Sequence, residues 1–182
     1  MNVLLVIPPD KHLIHRESVI PLGSAYINGA LRNSGINVFS YNLNYINDEL
    51  FVFLEKIISK HNIDILLCGG TSYNYWGMKM VFEIAKMIKV DIITIGGGAG
   101  YTSNPILFAE MTNPDFVVLG EGEITTCELI RCIENKEEIS DIEGIMYKIS
   151  TGYIQNPDRP LIEDINNIAF PSYDGFGVEQ LF

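Results

Sequence analysis

Three glycine-rich loops contain the residues of this sequence best suited to binding a ligand. They read Gly69-Gly70-Thr71-Ser72, Gly96-Gly97-Gly98 and Gly120-Glu121-Gly122-Glu123, and each follows a short apolar run. Because glycine has no Cβ, another backbone or a flat ligand can come within contact distance of such a loop. Taken alone, the loop at residues 96–98 fits a ligand site and a tight strand-to-helix turn equally well.

Predicted strands and helices must position these loops. The strands are short apolar runs, and they alternate with segments of helical periodicity. We expect strands at residues 3–7, 38–41, 63–68, 92–95 and 116–119, and helices at residues 48–60, 75–89, 105–111 and 125–134, with one more helix ending before Gly35. Near-continuous aliphatic strands are typical of a parallel sheet that is covered on both faces. The alternation predicts an α/β fold with a doubly wound, mainly parallel five-stranded Rossmann-like (flavodoxin-like) sheet.

The pattern changes beyond Ser140. Residues 144–155 predict a β-hairpin whose turn contains Thr151 and Gly152, and residues 156–182 contain three prolines and little periodicity. We therefore divide the chain into a Rossmann-like domain at 1–140, and a hairpin with a linker at 141–182.

The composition narrows the range of partners. With 12 basic and 23 acidic residues the chain carries a formal net charge of -11. Such a surface repels nucleic acid and anionic membranes, so neither is expected as a partner. The first residues read as a strand rather than a signal peptide, and no run reaches the roughly 18 apolar residues that a membrane span requires. A cytoplasmic location is expected.

The common nucleotide-binding motifs are absent from the sequence. A dinucleotide fold needs GxGxxG directly after its first strand, where this chain has Pro8, Pro9 and Asp10. GxxxxGK[ST] does not occur either. In a parallel sheet the three glycine loops would lie side by side at the carboxyl edge, where ligands bind. They predict a broad, glycine-floored surface that suits a large planar ligand.

The three cysteines are too few and too scattered for a disulfide framework. Cys127 and Cys132 lie on one predicted helix, about 140° apart around its axis, and so are poor candidates for a shared metal site. Cys68 ends an apolar strand and is expected to be a small buried hydrophobe.

An ordered set of motifs resembles the amino-terminal cobalamin-binding domain of cobalamin-dependent radical S-adenosylmethionine (SAM) enzymes of the Fe-S oxidoreductase type. The resemblance covers nearly the whole chain. The motifs are PLGSAY at 21–26, GGTS at 69–72, GGG at 96–98 with Pro105 beyond it, FVVLGEGE at 116–123, EGIMYK at 143–148 and FPSYD at 170–174.

This resemblance implies a corrinoid at the carboxyl edge of the sheet, with its nucleotide tail beside the glycine-rich strands. Thr71 and Ser72, together with Gly70, would meet the corrin or the tail. The tail would be flanked by Gly96, Gly97, Gly98 and Tyr101 on one side and by Gly120, Glu121 and Gly122 on the other, and Pro21, Leu22 and Gly23 would lie near the ring. Helix capping by Thr71 and Ser72, and a dipole-stabilising role for Glu121 and Glu123, are the structural alternatives.

His12 is a possible cobalt ligand, because Asp10-Lys11-His12 matches the start of the DxHxxG motif of cobalamin mutases. The glycine of that motif is missing here, and an exposed loop histidine is the alternative. The sequence also contains no CxxxCxxC, the motif that holds a [4Fe-4S] cluster in radical SAM enzymes. The resemblance implies that the cluster, S-adenosylmethionine and a radical SAM domain belong to a longer parent protein. Our second hypothesis is a Rossmann-like nucleotide or nucleotide-sugar binding domain without a corrinoid.

Overall fold

The computed structural model describes residues 1–10 and 22–178, so Pro21 and His12 lie outside the described residues. The strands are β1 (Asn2–Ile7), β2 (Asn37–Asn42), β3 (Ile65–Gly69), β4 (Ile93–Gly97), β5 (Phe116–Val118), β6 (Ile145–Ile149) and β7 (Gly152–Gln155). The α-helices are α1 (Leu22–Asn33), α2 (Leu50–His61), α3 (Tyr75–Ile88), α4 (Ala99–Ser103), α5 (Pro105–Thr112) and α6 (Gly122–Asn135), and short 3-10 turns span Ser72–Asn74 and Ile165–Asn167.

The strands form one sheet in the order β2-β1-β3-β4-β5-β6-β7. The first five are parallel, which confirms the doubly wound α/β fold. The expected count of five strands was too low, because the hairpin joins the same sheet. β6 pairs antiparallel with β5, and Val118 faces Ile145 in that register. Whether the chain divides functionally near residue 140 stays a prediction.

Helices cover both faces of the sheet. α2, α3 and α5 pack on one face with β-strand residues such as Leu4, Leu66 and Val117. α1 and α6 pack on the other face with Leu5, Leu67 and Val118, which are the next residues along the same strands. The alternation follows from the two-residue period of a strand, which directs successive side chains to opposite faces.

All three cysteines are free and buried. The prediction that Cys68 acts as a buried hydrophobe is confirmed. Burial raises the pKa of its thiol well above the usual value, so the thiol stays neutral. In the described part of the chain, no helix is both long and apolar enough to cross a bilayer.

Tyr153 anchors the hairpin to the rest of the molecule. Its half-buried hydroxyl donates to the carbonyl oxygen of Pro114 at 2.8 Å, and the carbonyl oxygen of Ala109, at 3.3 Å, is a second acceptor for the same hydrogen. Desolvation by burial, with smaller contributions from Asp115 and Glu110, raises the pKa of Tyr153 from 10.0 to about 12. The neutral phenol is therefore the form that the folded state favours.

We expect alkaline pH to weaken the fold partly through Tyr153. The pKa of Tyr153 is higher in the folded state than in the unfolded state. Its contribution to the free energy of unfolding is therefore fully present below about pH 10 and is lost as the pH rises through about 12. Urea unfolding of the wild type and Tyr153→Phe at about pH 8 and about pH 11 should show a smaller alkaline loss in the variant. Tyr173→Phe, at an exposed tyrosine, is the control. Equal losses in Tyr153→Phe and the wild type would contradict this account.

The segment after the hairpin folds back onto α1 instead of leaving the domain. Asn28 of α1 is fully buried, and its amide nitrogen donates to the carbonyl oxygens of Ser172 at 3.0 Å and Asp174 at 3.1 Å. Its amide oxygen accepts from Ser40 at 2.9 Å and from Arg32 at 3.1 Å. This one side chain ties α1, β2 and the FPSYD segment together.

Replacing Asn28 with alanine is expected to lower the free energy of unfolding by about 2–4 kcal/mol, because it removes the partner of the buried Ser40 hydroxyl and of two part-buried carbonyl oxygens. Urea denaturation measures the loss. Asn33→Ala, at an exposed residue of the same helix, should change stability by no more than about 0.5 kcal/mol. Similar losses in the two variants would refute the role given to Asn28.

Candidate functional site

A cavity of about 470 Å³ opens at the carboxyl ends of β3, β4 and β5 and extends between the sheet and helices α1 and α6. It lies beside the point where the strand order reverses, between β1 and β3, which is the usual ligand position in open α/β sheets. The inner wall is apolar and consists of Leu5, Ile27, Leu67, Ile95 and Val118. The size and lining suit a small flat group with few polar atoms.

Close backbone contact between the β3 and β4 loops forms the floor of this cavity. The amide of Gly70 donates to the carbonyl oxygen of Gly97, and the amide of Gly100 donates to the carbonyl oxygen of Gly70, both at 3.1 Å. Gly98 has φ +94°, and a Cβ there would lie 2.7 Å from the Gly70 oxygen. Only glycine satisfies both the conformation and the spacing at this position.

Gly96 and Gly97 present opposite faces of β4. A Cβ on Gly96 would collide with the ring of Tyr101, lying 2.7 Å from its Cε2 and closer still to its hydroxyl. A Cβ on Gly97 would meet only the Val118 carbonyl oxygen, at 3.7 Å. Gly96 therefore makes room for the core beneath the sheet, and Gly97 leaves space on the cavity side.

This asymmetry predicts that alanine lowers the free energy of unfolding more at Gly96 than at Gly97. Gly96→Ala should destabilise the fold by about 1–3 kcal/mol through overpacking against Tyr101. Gly97→Ala should leave stability within about 0.5 kcal/mol, because its methyl group enters open space. Thermal or urea unfolding compares them, and a larger loss for Gly97→Ala would be inconsistent with this geometry.

Tyr101 supports the floor from the opposite face. Its side chain is fully buried, its hydroxyl is 2.7 Å from the Thr112 hydroxyl, and its ring packs edge-on against Phe108. Burial raises the pKa of its phenol far above the usual value. The side chain does not line the cavity, and its predicted contact with a ligand tail gains no support from this position.

The carboxyl-edge rim is acidic. Glu121 and Glu123 both line the cavity mouth at the start of α6. The Glu121 carboxylate accepts from the amide of Ile162 at 2.6 Å, which ties the C-terminal segment to the rim. Glu123 lies in the first helical turn, where its charge is favourable towards the helix dipole. Among the described lining residues there is no lysine, arginine or histidine.

The cavity brings together most of the residues that the sequence singled out. Those that line it are Gly23, Gly70, Thr71, Gly96, Gly97, Gly98, Gly120, Glu121 and Gly122. Thr71 also caps the following turn, with its amide and hydroxyl 3.0 and 3.1 Å from Oδ1 of Asn74. Leu22 and Ser72 do not line the cavity, although each is next in sequence to a lining residue, Gly23 and Thr71 respectively. Their roles as ligand contacts stay predictions.

Sequence reasoning missed the helical side of the site. Ile27 lies one turn after Gly23 on α1, and Thr126 lies one turn after Gly122 on α6. Each pair has the i,i+4 spacing that places two residues on one helix face. Because Gly23 and Gly122 were already predicted ligand contacts, this spacing could have identified Ile27 and Thr126 from the sequence. In the described ranges, no group of three or more His, Cys, Asp or Glu side chains could hold a metal ion.

The model of the B12 binding domain family matches residues 16–130. The chain belongs to this family. The match confirms the cobalamin-binding domain that the motifs predicted, and the nucleotide-binding alternative is not favoured. The cavity fits such a ligand, since its glycine floor admits a flat group and its inner wall is apolar.

Among curated proteins, the chain is similar to an uncharacterized methyltransferase of Pyrococcus horikoshii, with 34% identity over 96% of this chain and 38% of that protein. It is also similar to the anaerobic magnesium-protoporphyrin IX monomethyl ester cyclase of Synechocystis sp., with 28% identity over 91% of this chain and 34% of that protein. The chain thus spans a little over one third of the length of these relatives.

A solved structure shares the fold. It is the radical S-adenosylmethionine methyltransferase TsrM of Kitasatospora setae, with cobalamin and a [4Fe-4S] cluster bound. The TM-score is 0.76 and the identity 19%, and the match covers 93% of this chain and 31% of that one.

Proposed function

We propose that this chain holds cobalamin as part of a longer radical SAM enzyme, a methyltransferase or a related radical enzyme. The observation that carries the proposal is the apolar, glycine-floored cavity at the carboxyl edge of a B12-binding domain. The names of two relatives, a methyltransferase and an anaerobic cyclase, support the class of enzyme. The length of those relatives leaves room for a catalytic domain outside this chain.

The residues at the two ends of the cavity take different parts in this proposal. Thr71 and the start of α1 at Gly23 would hold the corrin ring at the carboxyl edge. Gly97 and Gly98 would admit the nucleotide tail into the cavity, where the apolar side chains would contact it. Leu22 and Ser72 would contact the ring from the side, and a contact of Pro21 stays a prediction from the sequence. Burial of the tail against aliphatic side chains supplies most of the affinity.

When bound, cobalamin supplies a cobalt centre that can carry a methyl group, and the chain positions it and controls access. The 182 residues contain no CxxxCxxC. We therefore place the [4Fe-4S] cluster and S-adenosylmethionine in a radical SAM domain joined in cis. His12 as a lower cobalt ligand and a cytoplasmic location stay predictions from the sequence.

The electrostatics of the rim support a corrinoid over a nucleotide. A nucleoside di- or triphosphate brings two or more negative charges, and here it would meet Glu121 and Glu123 with no described lysine or arginine to offset them. The single phosphodiester of cobalamin carries one charge, on a tail that connects an exposed ring to a buried base. Shape and apolar contact can hold such a ligand without a cationic rim.

Mixing the purified chain with hydroxocobalamin and then desalting should leave about one equivalent of corrin absorbance on the protein. Gly97→Val should abolish this retention while it leaves the unfolding temperature nearly unchanged, because the added side chain projects into the cavity. Gly97→Ala provides a graded comparison with an intermediate loss. Complete loss of corrin from the wild type on desalting would overturn the proposed function.

A further inference from the structure

We propose that Thr126 selects the lower base of the corrinoid by donating a hydrogen bond to a ring nitrogen, so that the cavity favours a benzimidazole-type base. This inference rests on the proposed function. Thr126 is only 4% exposed and lines the cavity. No hydrogen bond of its hydroxyl is found within residues 1–10 and 22–178, and the oxygen, unlike that of Thr125, remains accessible from the cavity. A hydroxyl placed in this way can donate to an acceptor atom of a ligand in exchange for water.

Gly122 opens the path from the cavity to this hydroxyl. It lies one helical turn before Thr126 on α6, and a Cβ there would be 3.4 Å from Oγ1 of Thr126. The same Cβ would be 2.9 Å from Cδ1 of Ile27 and 3.4 Å from Cγ1 of Val118. Any side chain at residue 122 would fill the space between α1, β5 and the hydroxyl.

The position of Thr126 separates it from the polar atoms of the rim. α6 begins at the carboxyl edge and returns along the sheet, so Thr126 lies about 6 Å deeper than Gly122 at 1.5 Å per residue. At this depth the strands contribute Leu5, Leu67 and Ile95, which are all aliphatic. The group bound there is therefore flat and mostly apolar, with one acceptor atom facing α6.

The three common classes of lower base differ in what they would present to this wall. A benzimidazole base has one ring nitrogen that is free to accept once the base has left the cobalt. An adenine base carries further ring nitrogens and an amino group, which would be buried against aliphatic side chains without partners. A phenol-type base has no ring nitrogen and cannot accept the bond in the same way.

The test compares the affinity of wild type and Thr126→Val for three corrinoids that differ only in lower base: benzimidazolyl, adeninyl and phenolyl. The wild type should bind the benzimidazolyl form about tenfold more tightly than the adeninyl form. Thr126→Val should weaken benzimidazolyl binding about three- to tenfold, which is the net worth of one hydrogen bond. Its affinity for the phenolyl form should change by less than about twofold.

Thr125→Val is the matched control. Thr125 is the neighbouring residue on α6, its hydroxyl is buried without a partner in the described part of the chain, and it does not line the cavity. Its substitution should leave all three affinities unchanged. Thr126→Val losses that are equal for the three corrinoids, or absent for all of them, would overturn the role of Thr126. If the wild type binds none of the three, the proposed function itself fails, and the inference with it.

Discussion

The site depends on one close backbone contact, between Gly70 after β3 and Gly98 after β4. The Gly70 carbonyl oxygen accepts from the Gly100 amide, and the absence of a side chain on Gly98 allows that oxygen to come so near. With φ at +94°, Gly98 turns the chain directly from the strand into α4. Because both loops turn away at the same level, the carboxyl edge is open, and the space between the sheet and its helices can be entered from there.

The two faces of β4 have different roles, because one packs against the core and the other borders the cavity. On one face Gly96 admits the ring of Tyr101, which is fully buried and hydrogen-bonded to Thr112. On the other, Gly97 leaves the cavity free beside Val118. A rigid aromatic ring beneath the floor limits how far the strand can shift when a ligand presses on it. The glycine run therefore performs two separate structural tasks at successive residues.

Sequence patterns predicted the strands and helices that depend mainly on local interactions. The aliphatic runs of β1, β3 and β4 and the periodicity of α3 and α6 placed these elements to within a few residues of their observed bounds. Long-range packing decided the rest. Nothing near residue 145 indicates that it would pair with Val118, and nothing near Asn28 shows that its amide would hold Ser172 and Asp174. Tyr101 follows the glycine loop in sequence, yet its direction depends on a core partner eleven residues away.

The return of the C-terminal segment couples it to the cavity through α1. The amide of Ser172 donates to the Ala25 carbonyl oxygen at 2.9 Å, and Gly29 lets the Phe170 backbone lie against the helix. α1 carries Gly23 and Ile27, which line the cavity. The docked segment and one wall of the cavity therefore depend on the same helix, although no described residue of the segment lines the cavity.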